Sequence, residues 1–271
     1  MRMVKASGRR SGGFVLNGLT AAIVLAALVL GLVVAPPDAI QGQAQRLMYL
    51  HVPAAWTAYC AYAVVLACSA TYLIRPVRRV DACAQAAAEI GVVMTAVTIA
   101  VGSVWGHFAW GVWWTWDARL VSTAVLLLIY LGYLGVRGIS GDGAANRRRA
   151  AIVGVVAFAQ VPVVHFSVLW WRTLHQPPTL LAPSTSPPID ARMLAALMVS
   201  LVASMLVGWA VFRRRVRHLV AATAAAPRSP VPQGSRPAEQ PTVNHEIKDD
   251  AKDEAQTHEA RPLAGAQGGG R

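Results

Sequence analysis

Charged residues are scarce in this chain of 271 residues. Only 14% are Asp, Glu, Lys or Arg, whereas 55% are hydrophobic. Soluble globular domains carry about 25% charged residues, so the composition excludes an ordinary soluble protein and indicates one that is integral to a membrane.

Acidic residues are the scarcer of the two charged classes. The chain has 13 of them against 25 Lys and Arg, which gives a formal net charge of +12. Such a charge could indicate a nucleic-acid-binding protein. The basic residues, however, stand in short clusters between apolar runs, as membrane topology requires. We therefore expect membrane lipids as surroundings and no nucleic-acid partner.

Cysteine is also rare. Cys60, Cys68 and Cys83 form neither a Cys-x-x-Cys pair nor a Cys-x-x-Cys-His sequence. Their spacing excludes a thiol oxidoreductase and a carrier of covalently attached haem. Cys60 and Cys68 lie within an apolar run, so we expect both to be small core side chains.

Long apolar runs, by contrast, are plentiful. Six are long enough to cross about 30 Å of hydrocarbon as helices. A basic leader precedes the first run, and Val34-Ala35 could pass for a cleavage site. That run is longer than a signal core, so we predict a retained first span. The runs lie near residues 14–34, 54–74, 86–106, 120–137, 150–170 and 191–212.

The basic clusters predict an orientation. They fall before the first run and after the second, fourth and sixth, whereas the other three loops are sparse and hold Arg46, Arg119 and Arg172. By the positive-inside rule, both termini are cytoplasmic, and loops one, three and five face outward.

Three parts of the chain follow from this topology. Residues 1–13 form a cytoplasmic N-terminus, residues 14–212 the six-span membrane domain, and residues 213–271 a tail that begins with a basic cluster. From about Ala221 the tail is rich in Ala, Pro, Gly and charge without apolar periodicity, so we expect a disordered extension.

Outward loop three is unusually rich in tryptophan. If the stretch is helical, the indoles at 110, 113 and 114 lie near one face with Asp117. The density favours a platform for a large planar ligand over an interfacial aromatic belt, which needs one or two rings per helix end. The fold class is thus an all-α integral membrane bundle of six transmembrane helices with an outward-facing tryptophan-rich loop. The tryptophans are Trp105, Trp110, Trp113, Trp114 and Trp116.

Two histidines flank this loop on the same face. His51 lies in outward loop one, where Pro53 suits the first turn of the second span. His175 lies in outward loop five. Three segments that are far apart in sequence therefore converge on one end of the bundle.

The three segments read QGQAQRLMYLHVPAAW from Gln41, GSVWGHFAWGVWWTWDARLVS from Gly102 and PVVHFSVLWWRTLHQ from Pro162. Together they resemble the cytochrome c maturation protein C family, also called haem exporter protein C, among the haem-handling proteins with a tryptophan-rich signature. The resemblance covers roughly residues 14–212. The chain departs from the family at His107 and Phe108, where a basic residue and proline are expected, and in its long tail.

The resemblance implies a protein that binds haem b without a covalent bond. It would present the haem at the outer face of the bacterial cytoplasmic (inner) membrane to a haem chaperone, cytochrome c maturation protein E. The implied partners are the A and B subunits of an ABC transporter and a small protein D, and the implied role is delivery, with no enzymatic step. By resemblance, His51 and His175 are the axial iron ligands, and Trp105 to Arg119, including Asp117, form the haem-presenting surface.

Two other histidines remain candidate ligands. His165 lies ten residues before His175 and about 15 Å deeper if the helix continues. That depth suits a structural or transient contact better than a site open to a chaperone. His107 faces outward and also stays open.

The sequence also leaves open which residues would contact the polar groups of the ligand. Haem propionates need cationic donors, for which Arg119 is a stronger candidate than Arg46 or Arg172. Asp117 could orient a ligand histidine or pair with Arg119, and a structural role is favoured over a catalytic one.

The alternative function is the membrane subunit of a cytochrome c haem lyase. Such relatives share the signature but are usually longer, with more spans and histidines. A solute permease is disfavoured because the chain has no internal repeat and no broken midplane helices.

Overall fold

The computed structural model describes residues 4–139, 143–175 and 189–225. Within these ranges the chain is helical and contains no named strand. Among the described residues, six segments are long and apolar enough to cross a membrane, which confirms the six predicted spans. The helices are α1 (Val4–Val29), which a π-helical turn Leu30–Val34 continues, α2 (Met48–Ile74), α3 (Arg78–Trp110), α4 (Ala118–Ile139), α5 (Ala144–Ala157), α6 (Gln160–Trp170) and α7 (Ala191–Ala225).

The fifth span consists of two helices, α5 and α6. The α-helical pattern of backbone hydrogen bonds is interrupted at the junction. There the amides of Ala159 and Val161 donate to carbonyls only three residues earlier. Pro162 follows at once and has no N–H to donate to Phe158, so the regular ladder cannot run through this point.

Several helices extend beyond the apolar runs. α2 begins at Met48, so His51 lies in its first turn and Pro53 in its second, and the expected loop position of His51 is wrong. His107 likewise lies in the last turn of α3. Backbone hydrogen bonding continues past the ends of the apolar runs, so a helix can begin earlier or end later than hydropathy indicates. Helix α7 continues to Ala225, so the expected start of disorder near Ala221 is wrong, and the rest of the predicted tail lies outside the described residues.

Small residues and tyrosines form the core of the bundle. The rings of Tyr62 and Tyr130 stack with centroids 3.7 Å apart, and the Tyr62 hydroxyl hydrogen-bonds to Thr95 at 2.8 Å. Gly91 permits this packing, because a Cβ there would lie 2.3 Å from the Tyr62 ring. Cys60, expected in the core, is exposed on the outside of α2.

The two ends of the bundle differ in chemistry. Near the start of α3, Asp81 pairs with Arg137 at 2.7 Å, and Glu89 pairs with Arg215 at 2.5 Å. This end carries the basic clusters of the predicted cytoplasmic loops. The segments that hold His51, the tryptophan run and His175 meet at the opposite end.

Candidate functional site

A cleft lies where α2, α3, α4 and α6 meet the segment that follows α6. The non-atom space around it is about 670 Å³ with open solvent included, and the cavity itself has a volume of about 90 Å³. Small and aliphatic side chains form most of the wall. The polar and aromatic groups that line it include His51, Tyr59, Trp114, Arg119 and His175.

His51 reaches the cleft from the first turn of α2. Its ring lies edge-on to Trp105, with centroids 5.7 Å apart, and the Trp105 indole N–H donates to Gln41 at 2.7 Å. On α3, Gly102 leaves room for the imidazole, because a Cβ there would lie 2.7 Å from the His51 Cε1. Two helices and one side-chain hydrogen bond therefore fix the position of His51.

His175 reaches the cleft from the segment after α6, and Asp117 anchors that segment. The Asp117 Oδ2 accepts hydrogen bonds from the Thr173 hydroxyl and from the Leu174 amide, the latter at 2.8 Å. Its Oδ1 caps the start of α4 by accepting from the amides of Arg119 and Leu120. One buried carboxylate thus joins the end of the tryptophan run to the segment that carries His175.

The His175 ring also lies near this carboxylate. Its Nδ1 is 3.3 Å from the Asp117 Oδ1, a charge–dipole contact whose angles fall outside those of a hydrogen bond. Trp110 packs edge-on against the other side of the imidazole, with centroids 5.1 Å apart.

The electrostatics favour a neutral His175 beside an ionised Asp117. Burial lowers the pKa of His175 below 6.5, and the Arg119 charge lowers it further, outweighing the opposite effect of Asp117. Burial alone would raise the pKa of Asp117, but hydrogen bonds from Thr173, Leu174 and Arg119 keep it below 3.8. A neutral imidazole has the lone pair that a metal ligand needs.

Arg119 is the one of the three predicted outward arginines that lines the cleft. One terminal N–H donates to the His165 carbonyl at 2.9 Å, while its buried Nε has no partner among the described residues. Arg46 instead donates to the Gly31 carbonyl and to Gln43, and Arg172 is exposed. A cationic side chain that lines a cleft and has an unpaired N–H suits an anionic group on a ligand.

The predicted shared face of indoles does not form. Helix α3 ends at Trp110 because Gly111 adopts a left-handed φ of 77°, and the chain is non-helical up to Asp117. Trp114 therefore turns into the cleft, whereas Trp113 is 58% exposed and Trp116 is 86% exposed.

The two other candidate histidines lie outside the cleft lining. His107 stacks in parallel on Trp113, with centroids 4.2 Å apart. His165 contacts the rings of Trp56, Tyr59 and Phe166. Its depth cannot be counted along one helix, because α6 ends at Trp170, before His175.

Most of the residues that line the cleft were not predicted from the sequence, and Tyr59 and Gly102 are two examples. Tyr59 lies eight residues after His51 and Gly102 lies three before Trp105, and both line the cleft. The helical spacing of His51, Ala55 and Tyr59 on one face of α2 is a signal that could have found Tyr59. Gly102 carries no comparable signal, because its role depends on a neighbouring helix.

Comparison with known proteins agrees with the motifs. The family model described as Heme exporter protein C matches residues 6–229. Heme exporter protein C of Escherichia coli K12 is 36% identical over 186 residues, covering 69% of this chain and 74% of that protein. Its namesake from Bradyrhizobium diazoefficiens is 36% identical over 217 residues, covering 76% and 82%. A ccmC-like mitochondrial protein of cytochrome c biosynthesis from Marchantia polymorpha is 38% identical over 154 residues, covering 57% and 65%.

Proposed function

Because the chain belongs to the haem exporter protein C family, we propose that its cleft binds haem b without a covalent bond and presents it for cytochrome c maturation. The observation that carries this proposal is that His51 and His175, which lie 124 positions apart in sequence (175 − 51), line one cleft. Iron in haem takes two axial imidazoles, one on each face of the macrocycle. Two histidines from separate segments can approach the iron from opposite faces.

The residues of the cleft suit the remainder of the ligand. Aliphatic and aromatic walls match an apolar macrocycle, and Trp114 supplies a flat indole at the wall. The unpaired Nε of Arg119 suits a propionate carboxylate. Asp117 keeps the segment of His175 in place, and the low pKa of His175 keeps that imidazole neutral.

The proposed setting is the outer face of the bacterial cytoplasmic membrane. Six spans and the basic clusters support an orientation with both termini in the cytoplasm and the cleft outward. In this setting the protein would act with the A and B subunits of an ABC transporter and with small protein D. It would deliver haem to the chaperone, cytochrome c maturation protein E, without making a bond itself.

The test is an absorption spectrum of the detergent-purified protein followed by extraction with acid acetone. We expect a six-coordinate low-spin spectrum and complete extraction of the pigment, because the chain has no Cys-x-x-Cys-His sequence. Haem that stays with the polypeptide would reject non-covalent delivery. A protein that binds no low-spin haem when titrated with it would reject the site.

A further inference from the structure

Side chains alone close the cleft on the side between α2 and α6. Helix α6 packs along α4 rather than along α2, while the other half of α2 packs against α5. The gap is bridged by Trp56 and Tyr59 on one side and His165 on the other. The centroid of the His165 ring lies 6.0 Å from that of Trp56 and 6.2 Å from that of Tyr59, in edge-on contacts.

The three bridging rings lie between the cleft and the exposed outside of α6. Tyr59 lines the cleft, and His165 contacts Phe166, which in turn contacts Trp170 at 5.7 Å. Phe166 and Trp170 are exposed on the outside of α6. A continuous series of aromatic contacts therefore runs from the exposed outside of α6, within a candidate membrane span, to the interior of the cleft.

The polar groups around these aromatic contacts are placed for an anionic ligand. The Arg119 guanidinium lies just inside, because it donates to the backbone carbonyl of His165 at 2.9 Å while its Nε stays unpaired within the described residues. The His165 ring forms no hydrogen bond with any described residue, so no polar contact holds it in its present rotamer.

We propose that Trp56, Tyr59 and His165 form a side gate through which haem enters the cleft from the outer leaflet of the membrane. This inference rests on the proposed function. An apolar macrocycle partitions into lipid, and lateral entry keeps it out of water. Edge-on rings can rotate about their side-chain torsions and close again without movement of a helix. Arg119 then attracts the propionates from inside the gate.

The first experiment closes the gate reversibly. Trp56→Cys and His165→Cys are combined in a background in which Cys60, Cys68 and Cys83 are alanine, and the haem-free protein is reconstituted into dioleoylphosphatidylcholine vesicles. Haem is added, and the growth of the low-spin signal is followed with the cysteines cross-linked and again after reduction and removal of the reductant. We expect the cross-link to slow loading by about tenfold or more. Equal rates before and after reduction overturn the side gate and assign entry to the outer mouth.

The second experiment widens the gate. Trp56→Ala removes a bridging ring that does not line the cleft, so loading should accelerate by roughly tenfold while the low-spin spectrum at saturation stays unchanged. Trp209→Ala removes a half-exposed indole from α7 and serves as the matched control with an unchanged rate. Loading that is no faster in Trp56→Ala than in Trp209→Ala overturns the inference. Failure of the unmodified protein to bind low-spin haem would instead reject the proposed function.

Discussion

Asp117 lies 3.3 Å from the Nδ1 of His175 while its two oxygens hold the backbone of both the α4 start and the His175 segment. The same carboxylate therefore ends the tryptophan run and positions an imidazole that lies 58 residues later (175 − 117). This relationship joins the most distinctive motif in the sequence to a candidate ligand, and it makes Asp117 a positioning residue.

Asp117→Asn should weaken haem binding. An amide has one acceptor oxygen, so it cannot both cap α4 and hold Thr173 and Leu174. Loss of such buried hydrogen bonds costs about 1–3 kcal/mol, and haem titration should show a matching fall in affinity. Asp190→Asn is the control, because Asp190 accepts from the Arg192 amide at the start of α7, outside the cleft. Equal affinities of the two variants would contradict the positioning role.

Acidification should destabilise the haem-free protein through His175. Burial and Arg119 hold the folded pKa of His175 below 6.5, which is the value of the unfolded chain. As pH falls through about 6.5, His175 becomes protonated in the unfolded chain but stays neutral in the folded protein. The free energy of unfolding therefore decreases as the pH falls. Tm should therefore fall more steeply between about pH 7.5 and pH 5 than in His175→Gln. Parallel curves would mean that His175 does not contribute.

Absorption spectra of histidine variants should distinguish the proposed axial ligands from the other histidines. His51→Ala and His175→Ala should each convert the low-spin spectrum towards five-coordinate or lose haem, since each removes one imidazole. Added imidazole should partly restore the signal by taking the vacated iron position. His165→Ala is the control and should leave the spectrum at saturation little changed. The opposite pattern, with His165 essential and His175 dispensable, would place the haem at the gate rather than in the cleft.

Gly102→Ala should displace the His51 ring. The new Cβ would lie 2.7 Å from Cε1 and 3.0 Å from Nδ1 of that imidazole. A side chain forced from its rotamer costs about 0.5–1.5 kcal/mol, so haem affinity should fall by up to about tenfold. Gly135→Ala on α4 meets no atom within 4 Å and serves as the control. Unchanged affinity in Gly102→Ala would show that the His51 position is not critical.

The two adjacent tryptophans, Trp113 and Trp114, should contribute unequally to haem retention. Trp114 lines the cleft, whereas Trp113 stacks on His107 at the surface. Trp114→Ala should reduce the binding free energy of haem by that of one aromatic contact, about 0.5–1.5 kcal/mol. Trp113→Ala should retain haem. Dissociation rates measured with a haem scavenger provide the comparison, and membrane levels of each variant show whether folding is intact. Equal losses would mean that the whole run binds as one platform.

Run length and signature motifs in the sequence predicted the six spans and the family. A helix must place about 20 apolar residues in hydrocarbon, so membrane segments leave a signal that needs no knowledge of the fold. The same reasoning brought His51, the tryptophan run and His175 to one end of the bundle. It placed His51 in a loop, however, because the apolar signal of the second span begins after the helix itself begins at Met48.

The directions of individual side chains depended on tertiary structure. The left-handed φ of Gly111 ends α3 and sends Trp113 and Trp114 apart, which no helical periodicity could indicate. The space for His51 is set by Gly102 on a different helix, and the side gate exists because α6 packs on α4 rather than on α2. Hydropathy and charge act along the chain and can be read from it, whereas cleft walls are made by atoms from distant segments whose contacts arise only when the helices pack.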